Sequence, residues 1–157
     1  VHADVGRATV FRRFGSKRKI SDRAIARELR EFANNIVAMP SRVGGPAEAL
    51  TEIFIDAVRV TRENPLLRRL TTTEPTALIA NARSQDPPAM ALARGLIVSA
   101  IDSLDRSNDA RLDREHIADL LCHLAISYAV VPDSSLDLAD DAELRTVIGA
   151  VFAPMFR

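Results

Sequence analysis

Arg7, Arg12 and Arg13 stand within one short stretch, with Thr9 between them and Lys17 close behind. A guanidinium is a rigid fork of N–H donors that meets a guanine edge or a phosphate two bonds at a time, whereas lysine brings a mobile point charge. Donors of both kinds at this density suit the surface of a polyanion. Cys122 and His123 are a second candidate, because thiol and imidazole serve nucleophilic and metal chemistry. Neighbours on a helix point about 100° apart, however, so these two cannot converge on one ion. His2 and His116 are not placed to supply the third or fourth ligand that a metal site needs. No nucleophile elbow, phosphate loop, paired-carboxylate site or metal motif occurs. The chemistry legible in the chain is recognition, with no catalytic residue, no metal and no cofactor assigned.

The elements that must position the basic cluster are helical. A turn leads into a short helix from about Gly6 or Arg7 to Phe14, Gly15 breaks it, and Ser16 caps the next. Val5, Ala8, Val10 and Phe14 seat the short helix, leaving Arg7, Thr9, Arg12 and Arg13 on open faces. Lys17 falls in the first turn of the following helix, where free N–H groups and the dipole already favour a phosphate. That following helix is expected over Lys17 to Ala38, ended by Pro40 and the Gly44-Gly45-Pro46 loop. Further helices are expected over Pro46–Asn64, Leu66–Leu70 and Glu74–Arg83, from Asp86-Pro87-Pro88 to Asp105, from Asp113 to Pro132, and from Asp140 or Asp141 to Phe156. Proline at a first helical position and aspartate at a cap supply most of these boundaries. The expected class is all-α.

The run Val5-Gly6-Arg7-Ala8-Thr9-Val10-Phe11-Arg12-Arg13-Phe14-Gly15-Ser16-Lys17 resembles the recognition-helix signature of TetR-type transcription regulators. The resemblance implies that Thr9 and Lys17 touch phosphates and that Arg7, Ala8 and Arg12 lie nearest the bases. It makes residues 1–38 the end of a helix-turn-helix domain plus a linking helix, and 39–157 a ligand-binding and dimerisation domain. It further implies a homodimer on a palindromic double-stranded DNA operator, with a small-molecule effector. Two positions depart from the pattern. Phe11 stands where the family usually has Tyr, which removes a phenol-to-phosphate hydrogen bond, and Arg13 with Arg12 can supply replacement charge. Gly6 stands at a cap position where Ser or Thr is common. The family's first helix and most of its second would lie before Val1.

Composition is compatible with this reading. The 157 residues are 47% hydrophobic and 27% charged, as in ordinary globular domains, and no apolar run reaches bilayer length. One cysteine permits no internal disulfide and suits a cytoplasmic location. The zero net charge hides a split: Val1 to Pro40 holds nine Lys/Arg against four acids, a net +5, and the rest carries −5. A basic end on an acidic body fits one end meeting a polyanion.

Two sites are expected in the body. Ile117 to Val131 is apolar around most of its circumference, and the last helix adds further apolar bulk. Ile117, Leu121, Leu124, Ile148, Val151, Phe152 and Met155 are therefore expected at a dimer interface. An apolar pocket is expected among Phe32, Phe54, Leu66, Leu70, Ile79 and Ile97, with His123 and Tyr128 as orienting polar groups. The leading function is a repressor released from DNA by a small apolar or amphipathic ligand. A helical protein-interaction module and a small-molecule-binding enzyme on a helical bundle are the alternatives.

Overall fold

The computed structural model describes residues 17–83, 89–105 and 113–156. Among them every regular element is helical: α1 (Lys17–Ala38), a 3₁₀ turn (Met39–Ser41), α2 (Pro46–Glu63), α3 (Pro65–Thr73), α4 (Pro75–Ala82), α5 (Ala89–Leu104), α6 (Arg114–Val130), α7 (Asp141–Phe152) and a closing 3₁₀ turn (Ala153–Phe156). The class expected from the sequence is found, and the boundaries agree closely. Arg7, Ala8, Thr9, Phe11, Arg12 and Arg13 lie outside the described residues, and Lys17 is described only as the first residue of α1.

The ends of the helices follow from local chemistry. Pro46 opens α2, and Glu48 in its first turn accepts from the Gly44 N–H at 2.8 Å, satisfying a backbone donor outside the helix. Asn64 ends α2 in an extended conformation, as a residue before proline prefers. Its Oδ1 then accepts from the Leu67 N–H at 3.1 Å and caps α3, so one Asn-Pro pair closes a helix and opens the next. Asp113 caps α6 through Glu115 N–H, and Asp140 caps α7 through the N–H groups of Ala142 and Glu143. The threonines that precede α4 do not cap it. Thr71, Thr72 and Thr73 turn their hydroxyls back onto the carbonyls of Arg68 and Arg69 within α3.

The core is organised around α2, which touches α1, α3, α5, α6 and α7. Ala49, Leu50, Thr51, Ile53, Phe54, Ile55 and Val58 are all buried, covering most of the helix circumference. Thr51 is tolerated there because its hydroxyl donates to the Ala47 carbonyl at 2.9 Å. Burial on several sides was expected of the last two helices, and it belongs to α2. Those two helices instead bury single stripes: Ile117, Ala118, Leu121 and Cys122 on α6, and Leu144, Ile148 and Phe152 on α7.

This arrangement corrects the expected interface set. Ile117, Leu121, Ile148 and Phe152 are between 0 and 3% exposed within the single chain, so they are core. Leu124 and Met155 are partly buried against that core. Val151 alone of the seven is open, at 45%, and it is joined by Leu120 at 45% and Val147 at 36%. The cause is helical phase. The i, i+4 row 144–148–152 faces α2, which turns the row 147–151 outward.

α7 runs antiparallel to α2, fastened near its N-terminal end by ion pairs. Arg59 reaches Asp56 (2.7 Å) and Asp141 (2.6 Å), and Arg145 reaches Glu52 (2.5 Å). Arg62 donates to the Leu138 carbonyl in the connecting segment. A second clamp joins α5 to α6. Arg114 binds the carboxylates of Asp102 and Asp105, and Arg94 binds Asp119 at 2.7 Å.

Candidate functional site

A cavity of about 220 Å³ lies between α1, α2, α3, α5 and α6, with Ala82 at the end of α4 also at its wall. Phe32 of α1, Phe54 of α2, Leu70 of α3 and Ile97 of α5, four of the residues expected around an apolar pocket, line it. The space itself comes from residues the sequence reading passed over. Ala57, Ala89, Ala93, Ala125 and Ala129 occupy wall positions where Leu or Met would fill the gap. The i, i+4 pairs Ala89/Ala93 and Ala125/Ala129 put small side chains on single faces of two facing helices, and that spacing was the available signal.

Three described polar side chains reach the wall: Glu28, Thr61 and Cys122. Thr61 is turned inward on its own helix, with its hydroxyl against the carbonyls of Ala57 and Val58 at 2.8 Å. Cys122 is buried and free, and burial, aided by the charge of Asp119, pushes its thiol up to about 11. It therefore stands in the wall as a neutral, weakly polar group. Glu28 sits half-buried one turn before Phe32 on the same face of α1.

The other expected pocket residues fall elsewhere. His123 is exposed, with 66% of its side chain open; its Nδ1 donates to the Asp119 carbonyl at 2.8 Å and lies 3.3 Å from that residue's Oδ2. Its position follows from the same helical step that separates it from Cys122: one points into the cavity, so the next points out. Ile79 is 39% exposed and does not line the cavity. Tyr128 stands behind the wall, its ring perpendicular to that of Phe54 with centroids 5.6 Å apart. The side chain of Leu66 lies outside the described residues.

A second depression, around Arg59, Arg62 and Arg145 at the start of α7, is polar and open. Its cations are already engaged by Asp141, Glu52 and the Leu138 carbonyl, so it serves to fasten α7 to α2. No group of three His, Cys, Asp or Glu among the described residues could hold a metal ion, and no described helix is long and apolar enough to cross a membrane. What the cavity can do is enclose a small, largely apolar molecule and offer it one carboxylate. Comparison with known proteins finds no matching family model, no matching curated protein and no matching solved structure.

Proposed function

We propose that this chain belongs to a ligand-responsive, DNA-binding transcription regulator of the TetR type, acting as a homodimer. One observation carries the reading. The helix that follows directly on the Arg7-to-Lys17 motif is also a wall of the cavity, through Glu28 and Phe32. A molecule in the cavity thus bears on the element that would set the position of a reading head. A ligand that binds better to one placement of α1 shifts the population toward it, and in a dimer this changes the spacing of two heads on a palindrome. The basic charge of the first forty residues supports the polyanion half of the reading.

The proposed dimer face is the outward side of α6 and α7, with Leu120, Val147 and Val151 at its centre. The test is a titration of the full-length protein against DNA from its own promoter region at several salt concentrations. Affinity should fall steeply as salt rises, because cations near Lys17 displace counterions. Lys17→Ala should weaken all sequences alike, and Arg7→Ala should weaken the promoter site more than random DNA. Binding that is absent, or insensitive to salt, ends the reading.

A further inference from the structure

Apolar packing does not account for Glu28. It contributes a half-buried carboxylate to a wall whose other described residues are alanines, larger apolar side chains and two satisfied or neutral polar groups. It makes no hydrogen bond or ion pair with any described residue. Its neighbour Arg27 is bound to Glu31 at 3.0 Å on the exposed side of α1 and attracts Glu28 only through space, without a direct bond. No described Lys, Arg or His lines the cavity. Among the described residues the wall therefore offers a carboxylate that accepts hydrogen bonds and attracts positive charge, and no cationic side chain with which to hold an anion. A carboxylate beside a low-dielectric cavity attracts a cation more strongly than one in open water.

We propose that the cavity takes a small organic ammonium ion, its apolar body among Phe54, Ile97 and Leu121 and its nitrogen on the Glu28 carboxylate. The size follows from volume. An apolar cavity of about 150 Å³ accepts benzene, so one of about 220 Å³ accommodates roughly nine non-hydrogen atoms on the same scale. A phenyl ring with a two-carbon aminoalkyl chain has that size. This deepens the ligand-responsive reading and rests on it only in taking the cavity as the effector site. The cation also explains how a ligand so small could act on α1, since Glu28 and Phe32 lie one turn apart on that helix and an ion pair draws it onto the body.

The test is calorimetric titration of the protein with 2-phenylethylammonium, its isostere 2-phenylethanol, and phenylacetate. The ammonium should bind about tenfold more tightly than the alcohol, as charge-assisted bonds exceed neutral ones, and phenylacetate should not bind. Glu28→Gln should bring the ammonium to the level of the alcohol and leave the alcohol unchanged. Ala125→Leu, which fills the cavity, should abolish binding of both. Equal affinity for ammonium and alcohol overturns the proposal, as does an ammonium preference that survives in Glu28→Gln, or binding that survives cavity filling. If Glu28→Gln does not fold, Glu28→Asp replaces it and must retain the ammonium preference. DNA binding enters none of these outcomes, so failure of the regulator reading is seen separately.

Discussion

The rings of Phe54 and Tyr128 meet at 89°, and Phe54 is both fully buried and part of the cavity wall. Tyr128 thus acts on the cavity through Phe54. An edge-to-face pair contributes about 0.5–1.5 kcal/mol beyond its buried area. Tyr128→Leu should lower the unfolding free energy by about 1 kcal/mol and weaken a cavity ligand only slightly. Phe54→Ala should cost about 3–5 kcal/mol and enlarge the cavity. Denaturant unfolding of the two variants checks the order; equal costs would mean that Tyr128 is as much a part of the core as Phe54.

His123 supplies the opposite test. Its ring is on the surface, engaged with Asp119 on its own helix. His123→Leu should leave ligand affinity unchanged within about twofold and alter stability by less than about 0.5 kcal/mol, as exposed substitutions usually do. A tenfold loss of ligand would place the imidazole in the binding site.

On α7, alternate rows should give opposite phenotypes. Val151→Glu and Val147→Glu lie on the exposed face and should yield folded monomers, because a carboxylate desolvated in an apolar contact is costly. Phe152→Glu, fully buried in the chain, should prevent folding altogether. Sedimentation with circular dichroism separates the two. A Val151→Glu protein of unchanged mass would move the interface off this face.

Cys122 can report on occupancy. With its thiol held near pH 11, alkylation at neutral pH should be far slower than that of a free thiol, and a cavity ligand should slow it further. Burial lifts the folded thiol above its ordinary value of 9.0. The contribution to stability is complete below pH 9, and it is lost as pH rises through about 11. Cys122→Ser should flatten that part of the stability profile. Alkylation of the native protein at the rate of unfolded chain would contradict the burial.

Much of the layout was legible because the punctuation is strong. Pro46, Asn64-Pro65, Asp113 and Asp140 each announce a helix end by a mechanism that acts over three or four residues. The inner pocket residues Phe32, Phe54, Leu70 and Ile97 were legible for a similar reason, since large apolar side chains on a helical stripe face inward. Phase around a helix was harder. Val151 and Phe152 are adjacent and both apolar, and only the seat of α7 on α2 decides which is core. Glu28 was missed because one of four acids scattered through a basic segment reads as a solvated side chain. Its meaning depends on what the other helices place opposite it. The alanines were missed because a cavity is made by what a side chain lacks.

Those alanines have an energetic consequence. Apolar voids in protein interiors cost about 24 cal/mol per Å³ relative to a filled core. For about 220 Å³ the upper limit is about 5 kcal/mol, reduced by whatever water enters through the open side. That limit matches the low end of the whole stability of an ordinary domain, about 5–15 kcal/mol. The cavity therefore costs the fold up to that limit, and a molecule that fills the space recovers part of it on binding. Occupancy and fold stability become one quantity, so the lifetime of the chain against unfolding and proteolysis should itself follow the concentration of the molecule it holds.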